Sequence, residues 1–119
     1  MKNLIACPAE RAVYFLGGKW KIRILFSLLQ SKKIRFGELK KGLKTITQQM
    51  LSKQLKELEA DGIVNRNVIQ IMPPKVEYSL TEFGLSVMPI LRSFSEWNKK
   101  NTRIILVKLN KNFEENRIR

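Results

Sequence analysis

The feature that most constrains this chain is the segment TITQQMLSKQLKELEADGIV, residues 45–64. Leu51, Leu55 and Leu58 recur at i, i+4 and i+7, a spacing that places them on one face of an α-helix. The other face carries Gln, Ser and Lys, with no carboxylate before Glu57. Such a face suits contact with a negatively charged partner that is rich in hydrogen-bonding groups. A merely solvated amphipathic helix is the alternative interpretation.

The ends of this helix are marked by polar residues and glycine. The Thr47 hydroxyl can accept a hydrogen bond from an unpaired backbone N–H of the first turn, which predicts a start there. Thr45 followed by Gln48 offers a second capping pattern, so the start is uncertain by about two residues. Asp61-Gly62 predicts the end, because glycine commonly takes the left-handed conformation after a helix.

The charge of the chain favours an anionic partner. The 119 residues contain 23 Lys and Arg against 10 Asp and Glu, a formal net charge of +13. Residues 31–60 and residues 99–119 each have a net charge of +5. A field of this sign attracts phosphate-rich polymers or anionic membranes.

Membrane insertion and secretion are not expected. No stretch approaches the roughly 18–20 uncharged apolar residues that span a bilayer. The first residues, MKNLIACPAE, have too few apolar positions for a secretory signal. We therefore expect a cytoplasmic protein with no membrane partner.

The residue types argue against an enzyme. There is no histidine, so catalysis and metal binding by imidazole are excluded. The single cysteine, Cys7, cannot form an intramolecular disulfide or a two-cysteine metal site. The paired carboxylates, Glu57/Glu59 and Glu114/Glu115, lie near no nucleophile or Gly-rich phosphate loop. We expect no catalytic residue, no cofactor and no metal.

The other elements follow from apolar periodicity and turn residues. A long helix is predicted from Thr81, kinked at Pro89 and able to continue to residue 109. Two strands flank the MPP turn at residues 72–74. The further predicted elements are helices over about 9–16, 20–30 and 36–44, a short β-prone stretch at 34–36, and strands at 63–71 and 75–80.

This order of elements predicts a winged helix-turn-helix, a mainly α fold with a small β-hairpin wing. We expect one domain over residues 1–119, with the helix-turn-helix at 36–62 and the wing at 63–80. The helix after Thr47 would enter a major groove, which is about 12 Å wide. Amide side chains would read base edges, while hydroxyl and cationic groups would contact phosphates. The candidate DNA-binding residues are Arg35, Thr45, Thr47, Gln48, Gln49, Ser52, Lys53, Lys56, Arg66 and Lys75. For Arg35, as for Lys32 and Lys33, ordinary solvated charge is an equal alternative.

Four motifs extend this interpretation to a family. In order they are CPAERAVYFLGGKWKIRIL, IRFGELKK, MLSKQLKELEADGIV and PPKVEYSLTEFG, between Cys7 and about Asn98. With them the chain resembles the HxlR-type winged-helix transcriptional regulators. The resemblance implies a homodimer that binds double-stranded DNA at a palindromic operator. It also implies that the first and last helices, within residues 1–18 and 81–109, form the dimer interface. The resemblance does not indicate whether the protein represses or activates transcription, or which inducer it responds to.

Two features leave alternatives open. In some regulators of this type a cysteine at the CP position senses oxidants or electrophiles, so the resemblance makes Cys7 a candidate redox sensor; a small interface thiol is the alternative. The tail, residues 99–119, lengthens the dimer interface, contacts DNA or is solvated. For the whole chain, the rival function is a sequence-indifferent architectural nucleic-acid binder, which the charge alone would permit.

Overall fold

Short-range signals set the helix boundaries of the chain. A computed structural model describes residues 7–118, with side chains described over residues 7–112. Pro8 opens α1, where its missing N–H costs nothing. Gly18, at φ 99°, occupies a backbone conformation that favours glycine and separates α1 from α2. The elements are α1 (Pro8–Leu16), α2 (Lys19–Gln30), β1 (Ile34–Arg35), α3 (Phe36–Leu43), α4 (Gln48–Ala60), β2 (Val64–Gln70), β3 (Lys75–Leu80), α5 (Glu82–Leu85), α6 (Met88–Lys100) and α7 (Thr102–Ile118).

The chain forms two compact units, divided between Met88 and Pro89. The first contains α1 to α5 and the sheet, and its core is aliphatic except for Tyr78. Among the described residues, no charged side chain is buried. The buried side chains of this unit are Ile24, Leu25, Leu28, Ile34, Leu39, Leu43, Ile46, Leu51, Leu55, Leu58, Ile63, Val64, Tyr78 and Val87.

The turn between α3 and α4 uses an uncommon backbone conformation. Lys44 has φ 61° and ψ −73°, and the Thr45 N–H donates to the Leu43 carbonyl oxygen at 2.7 Å. This is a γ-turn with a positive central φ, a rare and strained form. It reverses the chain within three residues and so fixes the direction of α4.

The sheet is antiparallel, with strand order β1-β3-β2. Tyr78 of the central strand β3 pairs with Ile34 of β1 on one side and with Arg66 of β2 on the other. The β2–β3 register continues to Val68 opposite Val76 and is then interrupted by an irregularity between Val68 and Gln70. The hairpin therefore extends past the two-residue strand β1, and its outer end projects from the sheet.

The stretch after β3 differs from the prediction. The sequence predicted one helix from Thr81 with a kink at Pro89, whereas the structure has three helices, α5, α6 and α7. Pro89 is the second residue of α6, where a helix needs no N–H donor, so it helps to begin a helix rather than kink one. The tail is helical through Ile118. None of the helices in residues 7–118 combines the length and the hydropathy of a membrane-spanning segment.

Candidate nucleic-acid interface

Helix α4 presents a polar surface because its leucines are turned into the core. Leu51, Leu55 and Leu58 are at most 1% exposed. The opposite side lines an open groove of about 670 Å³. The residues that line it are Gln48, Gln49, Ser52, Lys53, Lys56 and Glu57. We call this groove the α4 groove. Five of the ten candidate DNA-binding residues are thereby brought together on one helix face.

The structure shows which of the two capping patterns begins α4. The Thr47 Oγ1 accepts a hydrogen bond from the Met50 N–H at 3.1 Å. Thr47 is therefore the N-cap, and its hydroxyl hydrogen is left to donate to another group. The N-terminus of a helix favours anions through its unpaired N–H groups and its dipole. An anion near Gln48 and Gln49 would gain from both effects.

The C-terminus of α4 passes directly into the hairpin. Gly62 has φ 74°, its N–H donates to the Glu59 carbonyl oxygen, and the Ile63 N–H donates to the Leu58 carbonyl oxygen. This pair of bonds is a Schellman motif, which ends the helix and satisfies its last carbonyls. Ile63 and Leu58 are both fully buried, so α4 and β2 are anchored to the same core.

A second groove joins α4 to the sheet. It has a volume of about 510 Å³, and we call it the helix–wing groove. Arg66 on β2 lines it together with four residues of α4, so the wing and the helix share one continuous surface. The residues that line it are Phe36, Gln48, Ser52, Lys56, Glu59, Arg66, Val76 and Tyr78.

The remaining candidate DNA-binding residues lie outside these two grooves. Arg35 is exposed at the N-cap of α3, and Thr45 is exposed in the turn before α4. Lys75 is partly exposed at the start of β3, opposite Gln70. Phe36 and Val76 were not predicted to line a groove, because only the pairing of β1, β3 and β2 brings them beside α4.

An ion pair lies at the edge of the α4 groove. The Lys21 Nζ is 2.8 Å from the Glu57 Oε2, and the Lys21 side chain is only 12% exposed. The hydrogen bond and charge of Lys21, aided by the charge of Lys53, hold the pKa of Glu57 below its ordinary value of 4.5. The one carboxylate of the α4 groove is thus paired with a cation from α2. The sequence offered no signal for this pair, because the two residues are on different helices.

Cys7 is exposed and forms the N-cap of α1. Its carbonyl oxygen accepts the Arg11 N–H at 3.1 Å, and Pro8 is the first residue of the helix. The thiol is accessible to reagents in the monomer.

Helices of both units carry exposed apolar side chains. On α1, no residue is buried, and Val13, Tyr14 and Phe15 are exposed. On α6, Ile90, Phe94 and Trp97 recur at helical spacing and are also exposed. The exposed apolar residues of α7 are Ile104, Leu106, Val107 and Leu109. Apolar surface of this extent commonly marks protein interfaces.

The chemistry of the two grooves is recognition rather than reaction. Amide groups both donate and accept hydrogen bonds, and lysine and arginine neutralise phosphates. Within residues 7–118, no cluster of three acidic or cysteine residues suited to a metal ion is present. The arrangement suits the edges of bases and the backbone of a nucleic acid.

Comparisons with known proteins agree with this geometry. Residues 15–105 match the family model described as HxlR-like helix-turn-helix. The HTH-type transcriptional regulator YybR of Bacillus subtilis strain 168 is 47% identical over 103 residues, which cover 87% of this chain and 82% of that protein. The structure is similar to the reduced redox regulator HypR, with a TM-score of 0.79, 44% identity, and coverage of 85% of this chain and 99% of that one.

A more distant structure is the reduced form of the regulator YodB from B. subtilis. It has a TM-score of 0.70 and 35% identity, and the match covers 81% of this chain and 95% of YodB. The predicted winged-helix fold and family are therefore confirmed. The family consists of DNA-binding regulators rather than enzymes, and the chain belongs to the HxlR-like helix-turn-helix family of transcriptional regulators.

Proposed function

We propose that the protein is a homodimeric, sequence-specific transcriptional regulator that binds a palindromic operator with one α4 in each major groove. The observation that carries the proposal is the two-sided helix α4, with three buried leucines on one side and exposed amides and lysines on the other. Its partner is double-stranded DNA, and we propose the cytoplasm as its site of action.

Within α4 the side chains divide by chemistry. Gln48 and Gln49 lie in the first turn, and each amide can form two hydrogen bonds with an adenine edge. Lys53 and Lys56 lie one and two turns further on and neutralise phosphates. Ser52 lies between these groups and donates to a phosphate or a base.

Groups outside α4 fix its position on the duplex. Arg66 and Lys75 of the wing contact the backbone of the neighbouring groove. Arg35 and Thr45 contact phosphates beside the major groove, and the Thr47 hydroxyl donates to one at the N-terminus of α4. Contacts of this kind set register and orientation without reading sequence.

We assign the dimer interface to the exposed apolar surfaces of the first and last helices. Val13, Tyr14 and Phe15 of α1, and Phe94 and Trp97 of α6, leave more apolar area in water than an isolated subunit needs. A second copy covers both surfaces, and the exposed apolar residues of α7 lengthen the interface. A two-fold dimer reads an inverted repeat, with half-sites about 34–36 Å apart or at a multiple of that distance.

The test is binding to duplexes tiled across the region upstream of the gene, each with a scrambled control, at 50 and 200 mM salt. We expect one palindromic tile to be preferred over its scramble by roughly 10³ or more. Several phosphate contacts per subunit predict an affinity loss of roughly 10³–10⁵ between the two salt concentrations.

A uniform, salt-sensitive affinity for every duplex, extended to random genomic fragments, contradicts specific regulation. That result supports the rival function, an architectural nucleic-acid binder without sequence preference. The charge of +13 permits such a binder. The amides of the α4 groove favour the regulator, because phosphate binding alone needs no amide.

We further propose that Cys7 makes DNA binding responsive to oxidants. Two observations support this: Cys7 is exposed at the start of α1, and the similar proteins include a redox regulator, HypR. With one cysteine per chain, a disulfide joins two subunits. Two thiols lose two electrons and two protons to an oxidant such as diamide, which becomes the hydrazine.

The expected result is a covalent dimer on non-reducing gels and a changed operator affinity, both absent in Cys7→Ser. An unchanged oxidant response in Cys7→Ser contradicts the assignment.

A further inference from the structure

The outer end of the wing is unusually apolar and exposed. Ile71 and Met72 are 82% and 84% exposed, and Pro73 and Pro74 follow them in the turn. Further back along β2, Val68 and Ile69 are about half exposed. Apolar residues on an exposed edge strand promote aggregation. Exposed apolar surface of this kind commonly marks a binding site, which suggests a function for the tip.

Local structure makes this tip stiff. The Gln70 Nε2 donates to the Met72 carbonyl oxygen at 2.9 Å, and this bond ties the end of β2 to the turn. The two prolines restrict the backbone after Met72. An irregularity in the pairing between Val68 and Gln70 increases the local twist. Little conformational entropy is therefore left to lose when the tip enters a binding site.

The surroundings of the tip indicate its partner. Arg66 and Lys75 are the cations of the hairpin, and no carboxylate occurs between Val64 and Val76. Arg66 shares the helix–wing groove with Lys56, so the tip lies at the far end of a surface that begins on α4. A polyanion that runs from α4 along the hairpin therefore meets Arg66 and then Lys75 before it reaches the apolar tip.

The length of the hairpin fits the spacing of DNA grooves. From Arg66, beside α4, to Ile71 is five residues, or about 17 Å at about 3.3 Å per residue. Half of a duplex turn of about 34 Å is the same distance. With α4 in a major groove, a hairpin that extends along the duplex reaches the adjacent minor groove with its tip.

We propose that Ile71 and Met72 form an apolar wedge that enters this minor groove, partly unstacks one base step and bends the operator. Apolar side chains of these types unstack base steps in other minor-groove binders, with bends of about 20–90°. The inference rests on the proposed function, because it requires α4 to dock in the major groove. Arg66 and Lys75, which precede the wedge along the two strands of the hairpin, hold the DNA backbone.

The test measures the bend directly. The operator is labelled at both ends, and the end-to-end distance is followed by energy transfer as protein is added. Wild-type protein is expected to shorten this distance, and Ile71→Ser/Met72→Ser is expected to leave the duplex nearly straight. The double variant should also lose roughly tenfold in affinity, the effect of one or two lost base contacts. Leu85→Ser, which alters an exposed apolar residue of α5, is the matched control.

A second measurement locates the wedge. A flexible TA step under the tip is replaced by AA, which resists unstacking. The replacement should weaken wild-type binding severalfold and leave the double variant unchanged. Thermal unfolding of all variants establishes that each is folded at the assay temperature.

The outcomes separate this inference from the proposed function. If wild-type protein prefers the operator but neither bends it nor depends on Ile71 and Met72, the wedge is wrong and the regulator stands. If wild-type protein shows no preference for any duplex, both are wrong. If the double variant changes the oligomeric state at an unchanged bend, the tip binds a second copy of the chain, and the wedge is again wrong.

Discussion

At the scale of single residues, Gln49 and Lys53 separate sequence reading from general affinity. Gln49→Ala should lose discrimination between operator and scramble by about 1–3 kcal/mol, because an amide that pairs with a base edge is removed. Lys53→Ala should weaken all duplexes similarly and reduce the salt slope by about 1. Binding titrations at several salt concentrations check both. Equal losses on operator and scramble for both variants would contradict this division of roles.

The Lys21–Glu57 ion pair gives a prediction about pH. The pKa of Glu57 is lowered by the hydrogen bond and charge of Lys21, so folding favours the ionised carboxylate. The stabilisation is therefore complete above the ordinary pKa of 4.5 and is lost as the pH falls through the lower folded value. Urea unfolding should show wild type more stable than Glu57→Gln at pH 6, with the difference shrinking below pH 4.5. A difference that stays constant down to pH 2.5 would exclude this role.

Lys44 carries the strain of the turn between α3 and α4. Its φ of 61° suits glycine better than any residue with a Cβ. Lys44→Gly should raise the free energy of unfolding by up to about 1 kcal/mol, after the higher entropy of glycine in the unfolded chain is subtracted. Chemical denaturation measures the change. Lys41→Gly, in the helical part of α3, should instead be less stable than wild type. A lower free energy of unfolding in both variants would show that the turn is not strained.

At the scale of elements, the segment that follows α4 packs closely against the start of α5. The Thr81 N–H donates to the Ile63 carbonyl oxygen, and the Thr81 Oγ1 accepts the Gly84 N–H. A Cβ at Gly84 would collide with the Ile63 carbonyl oxygen, which is backbone and cannot turn aside. Gly84→Ala should therefore destabilise the fold by about 1–3 kcal/mol.

Gly37 provides the matched control for this prediction. It lies inside α3 with no atom near its added Cβ, so Gly37→Ala should stabilise by about 0.5–1 kcal/mol through helix propensity. Thermal or urea unfolding of both variants tests the pair. Opposite signs are expected, and a destabilisation of the same size at both positions would disprove the steric account of Gly84.

The elements also show which parts of the fold could be predicted from the sequence. Helix α4 was predictable because three leucines, a threonine cap and Asp-Gly are all local signals. The hairpin was equally clear, since β-branched runs flank two prolines. The breaks around α5 were not predicted, because the backbone approach of Ile63 to Gly84 is a tertiary contact. The Lys21–Glu57 pair and the helix–wing groove likewise depend on how helices and strands pack.

At the scale of the whole molecule, the polar face of α4 and the exposed apolar stripe of α6 occupy different segments. Residues 31–60, which contain α3 and α4, have a net charge of +5, while the exposed residues at Ile90, Phe94 and Trp97 of α6 are apolar. If α4 binds DNA and the apolar stripe of α6 binds a second copy of the chain, the free energies of DNA binding and of dimerisation are coupled. In the proposed dimer each subunit would position its partner's α4, so the second half-site would be bound at a high effective concentration.

This coupling predicts that a substitution on α6 acts on DNA without touching it. Trp97→Glu places a carboxylate in the apolar stripe and should shift the mass in solution from twice 13.9 kDa to 13.9 kDa at micromolar concentration. Its affinity for the palindrome should fall to that for a single half-site, by 10²-fold or more. Lys99→Gln is the control, because it changes the net charge equally on the opposite side of α6. Light scattering and operator titrations measure both effects. A monomeric Trp97→Glu with undiminished preference for the palindrome would show that one subunit alone reads the operator, and the dimer would then have no part in recognition.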